Sequence, residues 1–195
     1  YGTVSPADAA TVAGRDFSTV KNMDGNVLEL RGTGLFRYLA AIKVVAGAFY
    51  VDPVYAHRDP LSADVPKQIE LSYFLSIDAE DFAEVTHQGI RQNVDFATYA
   101  KLKDRIDRFN TFYRDVKSGD RYTLTYIPGQ GTTLALNGVA TGTISGRAFA
   151  EAIFRIWLGD KPMDERFKND LLTKGKSTAS TDTPSSSNSE AICHV

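Results

Sequence analysis

A chain of 195 residues, 43% hydrophobic and 24% charged, has the composition of a single globular domain with a sizeable core. Its 22 Lys and Arg are interspersed with 24 Asp and Glu for a formal net charge of -2, so the basic stripe that a nucleic-acid binder needs is missing. The longest apolar run, residues 44–51, is far short of the roughly 20 that cross a bilayer as a helix, and the lone Cys193 excludes an internal disulfide and any multi-thiolate metal site.

In chain order, residues 1–14 are small and polar with no sustained period, which predicts a flexible N-terminal segment. The chain opens on Tyr1 instead of Met and lacks a basic-then-apolar export sequence, which fits a leader removed before this numbering. "DFSTVKNM" and "NVLELRG" alternate apolar and polar residues across Asp24-Gly25, a two-residue hairpin signal. Ile42 to Val51 is a strand so continuously apolar that both of its faces should be covered. After a proline-marked loop, Gln68 to Ile77 reads as a further strand.

Asp78 is a candidate N-cap for a helix running to Asn93, and Asp95 for the next. In that second helix Tyr99, Leu102, Ile106, Phe109 and Tyr113 recur at spacings of three and four on one side. Strands resume with "RYTLTYI", a turn at "PGQGT", then "TLAL" and "VATGTI" joined by Asn137-Gly138. Phe149, Ala152, Ile153, Ile156 and Trp157 form an apolar helical stripe closed by Gly159, and Pro162 is expected to open a last helix to Leu172. The domain is therefore assigned to residues 15–172, and the Ser/Thr-rich 173–195 to a disordered tail. Strands, helices, strands, helices in that order predict an α+β fold: an antiparallel sheet covered on one side by helices.

Residues with chemical potential mostly have structural explanations. "GQGTT" lacks the Lys-Ser/Thr of a phosphate loop and leads into a hairpin, so it is a turn. His57, His87 and His194 stand at no metal-ligand spacing, so no metal or other cofactor is expected. Asp78, Glu80, Asp81 and Glu84 crowd a helix start, where the macrodipole favours negative charge. No Gly-x-Ser-x-Gly elbow or paired Cys/His supports nucleophilic catalysis.

Three segments, "GTGLFRYLAAIKVVAGAFYV", "DRFNTFYRDVKSGDRYTLTYIPGQGTTLALNG" and "FAEAIFRIWLGDKPMDERFKNDLL", resemble the chalcone isomerase-like family, particularly its bacterial branch, in the same order over about residues 26–172. The resemblance implies an open-faced β-sandwich, a large antiparallel sheet under a layer of helices. The family includes plant enzymes that cyclise chalcones to flavanones, plastid fatty-acid-binding proteins, and bacterial members mostly without assigned activity. Because many bacterial relatives are exported, it also implies a periplasmic setting, with the cytoplasm as the alternative.

Carried over position by position, the resemblance makes Arg37 the counterpart of the arginine that binds the developing oxyanion in the enzymes. The threonine two residues after the strand lysine becomes Val45, and the tyrosine and asparagine of the first helix become Phe82 and Gly89. A late-helix Ser/Thr becomes Ile156, beside Trp157. Ring closure needs positioned cations and hydroxyls on the enone oxygen, and losing one such donor costs roughly 100- to 1000-fold in rate. The expected function is thus binding without catalysis: a small apolar anion, such as a fatty acid or aromatic acid, held in a cleft at Arg37 and Tyr50 and lined by Val45, Phe82, Gly89, Ile156 and Trp157. The alternatives are an isomerase with a rebuilt site and a protein-interaction module with a vestigial pocket. A charged arginine at the mouth of an apolar pocket is costly unless paired, so Arg37 is expected to meet either an anionic ligand or an internal carboxylate. Lys43 is expected to lay its stem on apolar side chains with its amine in water, and Arg91 and Asn93 are further candidates for a cleft wall.

Overall fold

A computed structural model describes residues 9–23, 25–55, 59–61 and 64–173. Seven strands form one antiparallel sheet in sequence order: β3 (Val20–Met23), β4 (Asn26–Tyr38), β5 (Ile42–Val51), β6 (Lys67–Tyr73), β7 (Arg121–Ile127), β8 (Gly131–Leu136) and β9 (Val139–Ile144). A separate hairpin of β1 (Ala9–Val12) and β2 (Arg15–Ser18) precedes it. The helices are α1 (Ala79–Asn93), α2 (Phe96–Asn110), α3 (Arg147–Leu158) and α4 (Glu165–Leu172). The α+β fold and the antiparallel sheet with a helical layer are those expected from the sequence.

β5 explains the layering. Val45, Phe49 and Val51 belong to the main core beneath the helices, whereas Ala46, Ala48 and Tyr50 join Val12, Phe17 and Leu28 in a second cluster. Side chains that alternate along a strand point to opposite faces, so the two clusters lie on opposite sides of the sheet. The β1–β2 hairpin supplies Val12 and Phe17 to the cover of the second face. Near-continuous burial along β5 follows.

Several elements differ from the sequence reading for identifiable reasons. Residues 9–12, placed in a loose N-terminal segment, form β1 and pair with β2 through a turn at Ala13-Gly14. Residues 1–8 lie outside the described set, as do His57, Cys193, His194 and the rest of the tail beyond 173. β4 runs six residues past Gly32 because its glycines are packing positions. A Cβ on Gly32 would strike the Asp170 carbonyl oxygen, and one on Gly47 of β5 would sit 2.5 Å from the Phe167 ring, so α4 lies directly on the two strands. α2 ends at Asn110, so Tyr113 falls in the following turn but is still buried in the core. α4 starts at Glu165, capped by Asp164, whose carboxylate accepts from the Phe167 N–H at 2.7 Å; Pro162 stands outside it.

The caps are divided. Asp95 caps α2 by accepting from the Thr98 N–H at 2.8 Å. Asp78 occupies the N-cap position of α1 without a side-chain bond, and Asp115 accepts from Ala79 N–H instead, at 2.9 Å. Asn137 and Gly138, with φ of 50° and 82°, make the turn between β8 and β9 that their sequence announces. Asp24 is outside the described residues, while Met23 pairs with Asn26 to close the β3–β4 hairpin around it.

Candidate functional site

The helices do not fill the space above the sheet completely. A cavity of about 200 Å³ lies between the sheet and helices α1 and α3. Its floor comes from Phe36 of β4, Val45 of β5, Leu71 and Tyr73 of β6, and Tyr122 and Leu124 of β7. Phe82 and Thr86 of α1, Ile156 and Trp157 of α3, and Tyr113 complete the walls. Asp81, Val85 and Met163 are exposed lining residues and mark the mouth.

Four rings form one side of this space. Phe82 stacks on Tyr113, with centroids 5.2 Å apart, and meets Tyr73 and Tyr122 edge-on at 5.4 and 5.5 Å. Tyr122 also sets its edge against Tyr73 and Tyr113. Such edge-to-face contacts stabilise by roughly 0.5–1.5 kcal/mol each beyond area burial.

The polar groups here are neutral hydroxyls. Thr86 Oγ1 and the Tyr113 hydroxyl are 2.8 Å apart, each the other's hydrogen-bond partner. The Tyr122 hydroxyl accepts from the Arg114 N–H and donates to the Arg114 carbonyl. Among the described residues nothing hydrogen-bonds the Tyr73 hydroxyl. Burial, ahead of the neighbouring phenols, pushes Tyr73 well above the ordinary tyrosine range, and burial likewise raises Tyr113 against the opposing effect of its bond to Thr86. Tyr122 is raised by burial too. All three therefore stay protonated at neutral pH. They can donate a hydrogen bond but cannot serve there as phenolate bases.

Of the residues singled out in the sequence, Val45, Phe82, Ile156 and Trp157 come together on this cavity. Gly89 stands behind Ile156, where an added Cβ would lie 2.9 Å from Ile156 Cγ1, so the bulk of Ile156 takes the space that a longer side chain at position 89 would need. Arg37 and Tyr50 do not join them. Tyr50 is fully buried on the opposite face of the sheet, where burial and then the Glu70 carboxylate hold its phenol far above the usual range. Arg37 pairs across β4–β5 with Lys43, seven residues or about 23 Å along the strand from Tyr50. The expected Arg37–Tyr50 grip on a carboxylate is therefore ruled out by the register.

Arg37 is also exposed, so the desolvation argument for a partner does not apply to it. No ion pair reaches it among the described residues. It is not part of the cavity wall. Its neighbour Phe36 is, and so is Val44, the neighbour of Lys43. Arg37 and Lys43 thus stand one residue outward from the cavity on adjacent strands. The Lys43 amine lies 6.0 Å over the Phe74 ring with the residue exposed, consistent with a stem resting on apolar surface.

Arg91 and Asn93 are structural. The Arg91 guanidinium stacks 4.8 Å over Tyr99 and donates to its hydroxyl, while Asn93 bridges the Gly89 carbonyl and the backbone of Lys161. His87 bonds the Tyr99 hydroxyl at 2.8 Å and faces Asp107 at 3.2 Å, away from the cavity.

Sequence reasoning missed Tyr73, Thr86 and Tyr113. One signal was present: Phe82, Thr86 and Ile90 are spaced by four on α1, so Thr86 is a hydroxyl set in an apolar stripe. Tyr73 likewise continues the alternation of Ile69 and Leu71 on the helix-facing side of β6.

No protein of curated function is detectably similar in sequence. Among solved structures, a fatty-acid binding protein from Arabidopsis thaliana superposes with a TM-score of 0.64 over 87% of this chain and 95% of its own, at 18% identity. That likeness establishes a shared fold. A family model described as chalcone isomerase-like matches residues 9–173, from the first strand to just past the last helix, and so the chain belongs to the chalcone isomerase-like family.

Proposed function

We propose that the protein holds the apolar body of a small amphiphile, such as a medium-chain fatty acid, in the cavity between α1, α3 and the sheet, and does so without catalysis. The observation that carries this reading is the composition of the cavity wall: hydrocarbon and neutral hydroxyls inside, with Asp81 at the mouth as the single ionisable carboxyl and no cation within, among the described residues. An apolar chain transferred into such a space gains about 0.8 kcal/mol for each methylene buried. A carboxylate head would stay in water at the mouth, with the charges of Arg37 and Lys43 exposed one residue beyond Phe36 and Val44 on the same two strands to attract it. The fatty-acid-binding structural relative supports the same class of ligand.

The isomerase alternative has weaker support. Val45, Phe82 and Ile156 present hydrocarbon to the cavity, and among the described residues no cation stands inside to take the charge of an enone oxygen. A volume of about 200 Å³ is also below the usual 300–1,000 Å³ of ligand pockets and small for a two-ring substrate.

Trp157, the only tryptophan in the chain, lines the cavity and reports on occupancy directly. Titration with decanoate and with decanol, both below their aggregation limits, should give saturable changes in its emission. Arg37→Gln with Lys43→Gln should weaken decanoate by about three-fold, as expected for exposed ion pairs, and leave decanol unchanged. Emission that stays flat for both ligands would overturn the proposal.

A further inference from the structure

The segment joining β4 to β5, "RYLAAIK", is exposed at every one of its seven positions, 37 to 43. Tyr38, Leu39 and Ile42 are 57%, 76% and 47% accessible, and Ala40 and Ala41 lie between them. Five consecutive apolar residues thus project from the fold with no packing partner among the described residues. Their polarity is layered. Leu39, Ala40 and Ala41 form the apex, Tyr38 and Ile42 pair across the hairpin beneath them, and Arg37 and Lys43 pair at its base.

The turn itself is costly for these side chains. The Ala41 N–H donates to the Tyr38 carbonyl at 3.2 Å, and the two central residues, Leu39 and Ala40, have φ of 51° and 60°. This left-handed geometry is the one that Asn137 and Gly138 adopt in the β8–β9 turn with suitable residues. Leucine and alanine are strained in it. The β4–β5 turn therefore gives up folding stability to keep aliphatic carbon at its apex.

We infer that this hairpin tip inserts into the interface of an anionic lipid membrane, on the same two strands that carry Phe36 and Val44 of the cavity wall. The layering matches the polarity profile of a bilayer leaflet: aliphatic apex toward the acyl chains, Tyr38 at the level where aromatic side chains concentrate, and Arg37 and Lys43 at the phosphates. Both cations are free of ion pairs among the described residues, so their charge is available to anionic headgroups. Glu80, Asp81 and Glu84 of α1 are exposed near the mouth and are repelled by such a surface, which favours contact through the tip over contact through the whole rim. Phe36 and Val44 continue the same two strands into the cavity wall beyond the Arg37–Lys43 pair, so the tip and the cavity share one hairpin. The purpose of docking rests on the ligand-binding reading above, but docking itself stands on the hairpin alone.

Co-flotation with vesicles tests it, using phosphatidylcholine alone and phosphatidylcholine mixed with phosphatidylglycerol. The full chain should float with the mixed vesicles and far less with the neutral ones. Arg37→Gln with Lys43→Gln should lose roughly 25-fold in partitioning to the mixed vesicles, about five-fold for each cation. Leu39→Asn with Ala40→Gly should lose roughly ten-fold or more through the missing leucine, while its Tm rises by roughly 5 °C as strain in the turn is relieved. That rise excludes misfolding as the cause of lost binding. Equal partitioning of the parent and both variants, or failure of the parent to float with the mixed vesicles, overturns the inference. So does a dimer, seen by sedimentation, that disappears in Leu39→Asn with Ala40→Gly, because the tip would then dock on a second copy of the chain. The Trp157 titration with decanol reads the cavity independently and should be unchanged in all variants, so an empty cavity and a tip that does not dock are distinguishable.

Discussion

Thr86 and Tyr113 offer a stringent test of the cavity wall, because their hydroxyls are buried and bond each other at 2.8 Å across 27 residues of sequence. Removing one hydroxyl deletes a hydrogen bond that contributes about 1 kcal/mol and leaves its partner dry and unsatisfied, with a penalty of about 1–3 kcal/mol. Tyr113→Phe and Thr86→Val should therefore each destabilise by about 2 kcal/mol. The double variant leaves no orphaned group, so it should cost far less than the two together, with a coupling of at least about 1 kcal/mol. Urea unfolding followed by circular dichroism provides the four free energies, with unchanged m-values confirming that the same transition is compared. Additivity within about 0.3 kcal/mol would refute the reasoning. It would mean that each hydroxyl has a separate partner in solution, such as cavity water or a bound ligand.

Two further outcomes follow from buried groups elsewhere. Lys67 is 1% exposed, with its amine donating to the Pro60 carbonyl at 2.7 Å and lying over the Tyr126 and Phe154 rings. Burial, partly offset by Glu151 and Asp64, lowers its pKa to about 8. The unfolded chain keeps this proton to about pH 10.5 and the folded chain releases it near 8, so this group's contribution to stability rises with pH through that window, by about 2 kcal/mol between pH 7 and pH 9.5. Urea midpoints at the two pH values measure the rise, and Lys67→Met should flatten it; a slope retained in that variant would assign the effect to other groups. Gly47→Ala should destabilise by about 1–3 kcal/mol, since the new methyl meets the Phe167 ring at 2.5 Å and Leu71 at 3.2 Å. A thermal melt checks this, and adding Phe167→Leu should recover part of the loss if the ring is the obstacle.

Elements whose signals are local were legible in the sequence. Asn137-Gly138 dictates its turn through backbone freedom alone, and the stripe from Phe149 to Trp157 buries its apolar face as its spacing requires. β1 was not legible, because "AATV" has too little apolar area to announce a strand and is organised by pairing with β2 over the second core. The strand read from the sequence stopped at Gly32, yet Gly32 and Gly34 are strand positions whose emptiness is needed by α4, 130 and more residues later. At the cavity, the family resemblance located Val45, Phe82 and Ile156, each of which lines the wall. It misplaced Arg37, because the strands carrying it outrun the helical layer and leave it in solvent. Thr86 and Tyr113 meet only through tertiary packing, which no one-dimensional period encodes.

The braced aromatic side of the cavity has a consequence for selectivity. Phe82, Tyr73, Tyr113 and Tyr122 support one another at centroid distances of 5.2 to 6.1 Å, so moving any one ring inward or outward costs contacts with the others. A chamber of fixed size acts as a ruler. Within a homologous series of fatty acids, affinity should climb about four-fold with each added carbon until the chamber is full, then level off as later carbons trail into solvent.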